Sequence, residues 1–215
     1  MGQQTISIVV ADDHDIVRKG FVRWLDQYDD MRVLAEARSG VEVMRLVEQL
    51  HPDVLILDIM MPGRDGLDIA RDVCTRFSRT AVVVFTGFVD AYTAQRAFRS
   101  GAVGFVEKTA PVEDVVTAIR CVARGQRYIP RSLEAVFAQR YLGGGESDPL
   151  EAVTNREFQV LRYLAQGMTN GEIAEKLTIS VRNVDGHRQN LLRKLQLRNN
   201  ADLARFAIRV GLIQA

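Results

Sequence analysis

At 215 residues the chain is long enough for one large domain or two small ones, and 47% hydrophobic with 26% charged residues describes an ordinary globular protein. No stretch approaches the roughly 18 uninterrupted apolar residues of a membrane-spanning helix, and the start Met1-Gly2-Gln3-Gln4-Thr5 has no basic region leading into an apolar one, so neither a membrane partner nor a secretory signal is expected. The net charge of +1 hides an asymmetry: residues 1–124 carry 15 Lys/Arg against 18 Asp/Glu, whereas residues 150–215 carry 10 against 6.

An acidic front and a basic back suggest two domains with different partners, the second a nucleic acid. Cys74 and Cys121 both fall in helix-like segments and read as reduced core thiols, as in a cytoplasmic protein.

Taken in order, Thr5–Val10 is a short apolar run that ends in Ala11-Asp12-Asp13-His14-Asp15. A helix follows over Ile16–Tyr28, with Val17, Phe21, Trp24, Leu25 and Tyr28 as its apolar face. Met31–Ala37 is a second strand. Ser39 caps a helix through Leu50. Val54–Asp58 is a third strand, four branched apolar residues and then a carboxylate, the habit of a strand buried on both faces. Leu67–Phe77 reads as a helix, Thr80–Phe85 as a strand, and Asp90 caps a helix through Ser100. Val103–Glu107 is a fifth strand with Lys108 after it, and Pro111 opens a helix ending before Gly125. Five strands alternating with five helices mark an α/β fold with a parallel sheet covered on both faces.

Residues 125–149 are expected to be a linker. It holds a short helix over Arg131–Leu142 and a break at Gly143-Gly144-Gly145. The remainder, 150–215, is all helix. Thr154-Asn155-Arg156-Glu157 and Thr169-Asn170-Gly171-Glu172 are two capping boxes. Ser180 caps a third helix, Val181–Leu195, and Asn200 a fourth, through Val210. A short helix, a tight turn and a longer basic helix form the helix-turn-helix arrangement.

In a parallel sheet the ends of strands one, three, four and five share an edge, and here they carry Asp12-Asp13, Asp58, Thr86 and Lys108. Two carboxylates ~4 Å apart repel by roughly 4 kcal/mol at an effective dielectric of ~20. A hard divalent cation such as Mg²⁺ removes that conflict. An aspartate can accept a phosphoryl group, with Lys108 and the cation neutralising charge and the Thr86 hydroxyl binding a phosphoryl oxygen. His14 and His187 lie far from any Cys/His ligand pattern and read as surface or helix-cap residues.

These residues, in this order, resemble the receiver domain of two-component response regulators. The back third, with Gly171-Glu172-Ile173-Ala174 and Leu191-Leu192-Arg193-Lys194-Leu195, resembles the LuxR-type helix-turn-helix. Together they resemble a NarL/FixJ-family response regulator. The resemblance implies a flavodoxin-like (βα)5 receiver with sheet order 2-1-3-4-5, followed by an all-α four-helix domain. It implies Asp58 as phospho-acceptor and a metal site of Asp12, Asp13, Asp58 and the Met60 backbone carbonyl, with Thr86 and Phe105 as a switch pair. It further implies phosphorylation by a histidine kinase, homodimerisation, double-stranded DNA in contact with the third helix, and RNA polymerase as a further partner. The candidate DNA-contacting residues are Arg182, Asn183, Asp185, His187, Arg188, Gln189, Arg193 and Lys194. Asp185 reads either as an acceptor for a cytosine amino group or as an ion-pair partner of Arg182 or Arg188. Gly186 would allow close approach to the groove.

The reading is not that of an enzyme, beyond the receiver's own phosphotransfer and slow dephosphorylation. Two alternatives stand beside it. Asp13-His14-Asp15 also resembles the nucleophile motif of haloacid-dehalogenase-type phosphatases, although Val17 stands where those carry Thr. The back domain could instead be a protein-interaction module.

Overall fold

The computed structural model describes residues 5–134, 137 and 148–213. The chain divides into two compact units at Phe137/Ala138. In the first, strands β1 (Ile6–Ala11), β2 (Met31–Ala37), β3 (Val54–Leu57), β4 (Ala81–Thr86) and β5 (Gly104–Glu107) form one parallel sheet. Its order, β2-β1-β3-β4-β5, is the one expected. Helices α1 (Asp15–Leu25), α2 (Gly40–Leu50), α3 (Gly66–Arg76), α4 (Ala91–Arg99) and α5 (Val112–Ala123) alternate with the strands.

Side chains alternate across each strand with period two, which sorts the core into two layers. Leu55, Leu57, Val82, Val84 and Phe105 pack with residues of α2, α3 and α4. Ile8, Val10, Ile56, Val83 and Val106 pack with residues of α1 and α5. A sheet buried on both faces needs apolar residues at successive positions, hence the unbroken runs.

Caps fix where the helices begin. The Ser39 hydroxyl accepts from the Glu42 N–H at 3.4 Å, and Asp65 accepts from the Leu67 N–H at 2.8 Å. Asp90 accepts from the N–H groups of Tyr92 and Thr93, both at 3.0 Å. Gly66 begins α3 hard against the turn after β3. A Cβ there would lie 2.4 Å from the Ile59 Cα and 2.8 Å from the Asp58 carbonyl oxygen, so only glycine fits.

The first helix departs from expectation. It stops at Leu25, and Val17 is exposed while Arg18 is fully buried. The Arg18 guanidinium donates to Glu36 on β2 at 2.9 Å, to the Asp12 backbone carbonyl at 2.7 Å, and to Asp15. A buried charge is tolerable when it is paired and fully hydrogen-bonded. That network takes the inward position that apolar spacing assigned to Val17.

The first unit also runs past residue 124, where the sequence placed its end. Gly125 turns the chain with φ +76°, and the next residues return along the outer edge of β5. The Tyr128 N–H donates to the Val103 carbonyl at 2.9 Å, and the Phe105 N–H donates to the Tyr128 carbonyl at 3.1 Å. The Ser132 hydroxyl donates to Glu107 at 2.7 Å. Leu133 is buried in the layer that holds Phe105, and Phe137 meets Phe98 edge-on with ring centroids 5.9 Å apart. The strap thus covers what would be an open strand edge. Residues 131–134 are helical; apart from Phe137, the rest of the helix expected over Arg131–Leu142 and the following segment through Ser147 lie outside the described residues.

The second unit holds α6 (Asn155–Ala165), α7 (Asn170–Leu177), α8 (Val181–Lys194) and α9 (Asn200–Arg209). Both expected capping boxes form completely. The Ser180 hydroxyl caps α8 by accepting from the Asn183 N–H at 3.1 Å. The cap of α9 is Asn199, one residue earlier than expected. Its side chain accepts from the Asp202 N–H at 2.9 Å, and Asn200 is already helical. Phe158, Leu161, Ile173, Leu177, Val184, Leu191, Leu203 and Phe206 are all buried in this unit.

Truncating Leu133 to alanine is expected to destabilise the first unit by about 2–5 kcal/mol, the usual range for a buried Leu→Ala change. Urea unfolding monitored through Trp24 measures it. An unchanged midpoint would mean that the strap adds nothing to this core.

Candidate functional site

The register of the sheet brings the charged strand ends together. Ala11 pairs with Leu57, and the Asp58 N–H donates to the Ala11 carbonyl at 2.9 Å, so Asp12 and Asp58 leave the sheet side by side. Thr86 pairs with Glu107, and the Lys108 N–H donates to the Thr86 carbonyl at 2.9 Å. From there the Lys108 ammonium lies 2.7 Å from the Asp58 carboxylate and 2.5 Å from the Asp12 carboxylate. The Met60 N–H donates to the other Asp58 oxygen at 3.0 Å.

Asp12 and Asp58 are 1% and 2% exposed, so both charges are held nearly out of water. Burial pushes the Asp58 carboxyl up from its ordinary value; the Lys108 ammonium and the Met60 N–H pull it down, and Asp12 pushes it further up. Burial pulls Lys108 down, but Asp58 and Asp12 outweigh it, and its ammonium form is held more firmly than usual.

Thr86 is buried, its hydroxyl accepting from the Phe88 N–H at 3.2 Å. Phe105 is fully buried opposite Val84, two residues before Thr86 and on the same face of the sheet.

His14 is exposed, as its reading as a surface or cap residue expects, and its ring also stands beside this cluster. It does occupy the N-cap position of α1, but its side chain makes no capping bond. Its ring Nδ1 lies 2.8 Å from Asp13 and 3.2 Å from Asp12. The direct sequence Asp13-His14 carried the signal; a search for Cys/His spacing does not register a histidine beside carboxylates. Arg18 was missed too, though it holds the Asp12 carbonyl.

The donor set fits a hard divalent cation. Ligand atoms of Asp12, Asp13, His14 and Asp58 all lie within 4.8 Å of one another. One buried oxygen of Asp12 faces the Lys108 ammonium at 2.5 Å, and one of Asp13 faces the His14 Nδ1 at 2.8 Å. Three carboxylates against one ammonium leave two negative charges, which is what a divalent ion balances.

On α8 the candidate residues separate by position. Arg182, Asn183, Gln189 and Arg193 are exposed, while Asp185, His187, Arg188 and Lys194 are half-buried. Asp185 pairs with Arg188, not Arg182: one carboxylate oxygen accepts from the guanidinium at 2.7 and 3.1 Å, and the other accepts from the Gln189 amide at 2.8 Å. Lys194 turns inward, its ammonium 2.6 Å from the buried Glu157 of the first capping box. Burial pushes the His187 imidazole down, and the nearby Arg156 adds to that, so the ring favours its neutral form.

The family model for the response regulator receiver domain matches residues 8–120, and that for bacterial regulatory proteins of the luxR family matches residues 151–207. The oxygen regulatory protein NreC of Staphylococcus aureus is 35% identical over 216 residues, covering 97% of this chain and all of that protein. A LuxR-family two-component response regulator from Aurantimonas sp. SI85-9A1 is similar in structure over 65% of this chain and 99% of its own, at 29% identity and a TM-score of 0.62. The RcsB response regulator of Salmonella typhimurium is similar over 96% of this chain and all of its own, at 25% identity and a TM-score of 0.58. The sheet order, the acidic strand ends and the two matched families agree, and the chain belongs to the two-component response regulators that join a receiver domain to a LuxR-type helix-turn-helix DNA-binding domain.

Proposed function

We propose that Asp58 is the phospho-acceptor, and that Asp12, Asp13, Asp58 and the Met60 backbone carbonyl hold Mg²⁺. The carrying observation is the Lys108 ammonium set between the buried carboxylates of Asp12 and Asp58. An Asp58 oxygen forms the new bond to phosphorus as the donor's bond breaks, and that electron pair leaves with the donor. Such a transfer needs mainly positioning and charge neutralisation. The Met60 N–H orients Asp58, and Lys108 is in reach of any negative charge added there. Bound Mg²⁺ supplies the rest of the neutralisation. The Thr86 hydroxyl accepts from the Phe88 N–H and keeps its own hydrogen to donate to a phosphoryl oxygen, and Phe105 forms the switch pair with it.

The phosphoryl source is a histidine kinase, and phosphorylation promotes homodimerisation and binding of the second unit to double-stranded DNA through α8. RNA polymerase is the further partner through which transcription responds. The aspartate-phosphatase alternative loses its second acid, because the Asp15 carboxylate is engaged by Arg18 and does not join the acidic cluster. Domain limits follow the packing: a receiver that includes the strap to residue 134, and a DNA-binding domain from residue 150.

A small phosphodonor with Mg²⁺ is expected to add one phosphoryl group per chain, read by intact mass, and Asp58→Asn to abolish it. Undiminished labelling of that variant would move the acceptor elsewhere.

The ionised Asp58 should also be costly without a cation. Its folded pKa is raised, so the stability it contributes is present at low pH and is lost as pH rises through the folded value. At neutral pH without Mg²⁺, Asp58→Asn is therefore expected to melt higher than the native chain. Added Mg²⁺ should raise the melting temperature of the native chain more than that of the variant; equal shifts would place the cation elsewhere.

Asp185→Ala frees the Arg188 guanidinium for a phosphate. Binding to random-sequence duplex DNA is expected to tighten, and the log–log salt slope to steepen by about one unit. A loss confined to one operator position, about 1–3 kcal/mol, would instead mark Asp185 as a base reader.

A further inference from the structure

Gly186 is the sixth of the fourteen residues of α8, deep enough that its lack of a side chain weakens the helix. Inside a protein such a glycine has one of two ordinary causes: a neighbour too close for a Cβ, or a left-handed backbone. Gly40 and Gly66 show the first, with a Cβ landing 2.3 Å from the Ile69 Cδ1 and 2.4 Å from the Ile59 Cα. Gly101 and Gly125 show the second, with φ of +96° and +76°. Gly186 shows neither. Its backbone is right-handed helix, and among the described residues no atom beyond its chain neighbours and the helix's own backbone lies within 4 Å of where its Cβ would stand.

Its surroundings face outward. Arg182, Gly186, Gln189 and Arg193 are exposed at spacings of four, three and four, one continuous stripe along the helix. Val184 and Leu191 are buried on the opposite side. The stripe therefore has a cation at each end and a bare stretch of backbone between them. Beside the bare stretch the Gln189 amide is held by Asp185 at 2.8 Å, so the nearest side chain is fixed in direction.

An α-helix about 10–12 Å across only just enters a major groove about 12 Å wide, so one missing side chain changes how deeply it can sit. Base edges are read inside the groove, so depth bears first on the contacts that carry sequence, while phosphate contacts carry none. We infer that Gly186 is a specificity-determining notch: it lets the base edges of the major groove approach the α8 backbone, beside Gln189. The inference rests on α8 being the helix that contacts DNA.

The test is Gly186→Ala in the full chain, measured on an operator selected from a random-sequence library, on a random duplex, and by hydrogen–deuterium exchange. Exchange across residues 181–194 is expected to slow roughly fivefold, because alanine is the better helix former. Operator affinity is expected to fall roughly 5- to 150-fold, the range of a mismatched base pair, with the random duplex bound as before. Gly20 is the control, another exposed helical glycine with no atom within 4 Å of its Cβ position among the described residues. Gly20→Ala should slow exchange in α1 and leave both DNA affinities unchanged. Operator binding by Gly186→Ala equal to the native chain's, or an equal loss on both DNAs, overturns the notch, as does faster exchange across α8. Arg182→Ala and Arg193→Ala separate the two levels. If they weaken DNA binding and Gly186→Ala does not, the notch alone fails; if they too have no effect, α8 is not the contacting helix.

Discussion

The Lys108 ammonium stands 2.5 Å from Asp12 and 2.7 Å from Asp58, three charges taken largely out of water at the edge of one sheet. Neither carboxylate would be stable there alone, because a buried charge without a partner is far costlier than a solvated one. The arrangement exists only because β5 ends beside β4 and β1 ends beside β3, so that the two carboxylates and the lysine emerge from the same edge. Asp13 adds a third carboxylate to it, faced by the His14 ring at 2.8 Å. The neighbouring backbone is correspondingly constrained. Gly66 presses against Ile59 and Asp58, the Met60 N–H is tied to Asp58, and Arg18 holds the Asp12 carbonyl from below. Buried like charges are thus held at a high local cost by rigid surroundings, the usual condition for preorganised chemistry.

Most of this architecture was legible because it follows short-range rules. Val54–Leu57 is apolar at every position, which only a doubly covered strand explains, and the Thr154 and Thr169 boxes announce their helices by spacing alone. What escaped is what depends on distant partners. Arg18 is charged and so reads as solvent-facing; it is buried because Glu36, eighteen residues away, and the Asp12 carbonyl receive it. Lys194 reads as a DNA contact on a basic helix, yet Glu157, thirty-seven residues earlier, draws it inward. The strap after α5 has no periodicity to find, because edge pairing uses the backbone of Tyr128 alone and packing uses Tyr128, Ile129, Leu133 and Phe137 at uneven spacing. At Asn199-Asn200 two identical residues compete for one cap, and sequence offers no way to choose between them.

The second unit uses an ion pair differently. Glu157 loses solvation, which pushes its carboxyl up, but the Lys194 ammonium and the Thr154 N–H outweigh that, and its pKa lies below the ordinary value. The sign follows directly: the brace stabilises the unit above the ordinary carboxyl range and is lost as pH falls through the lowered folded value. It ties the last turn of α8 to the first turn of α6, so the helix that carries Arg182, Gly186 and Gln189 is fixed at its far end by the same carboxylate that caps another helix. Glu172 forms the equivalent box at α7 while exposed, with no lysine among the described residues reaching it, and so caps locally. Two identical sequence signals thus differ in consequence, and burial decides which of them organises tertiary structure.

Phe105 connects the acidic edge of the sheet to the end of the first unit. Its N–H bonds the Tyr128 carbonyl, its ring lies in the layer that contains Leu133, and Lys108 follows three residues later on the same segment. The Lys108 backbone is in turn held by the Thr86 carbonyl at 2.9 Å. A fully buried ring cannot change rotamer in a core packed at crystal-like density unless its neighbours give way. The neighbours here include the strap, which leads directly into the segment joining the two units. The Asp58–Lys108 ion pair and the layer holding Phe105 and Leu133 are therefore joined by one short segment, residues 105–108, which also pairs with β4.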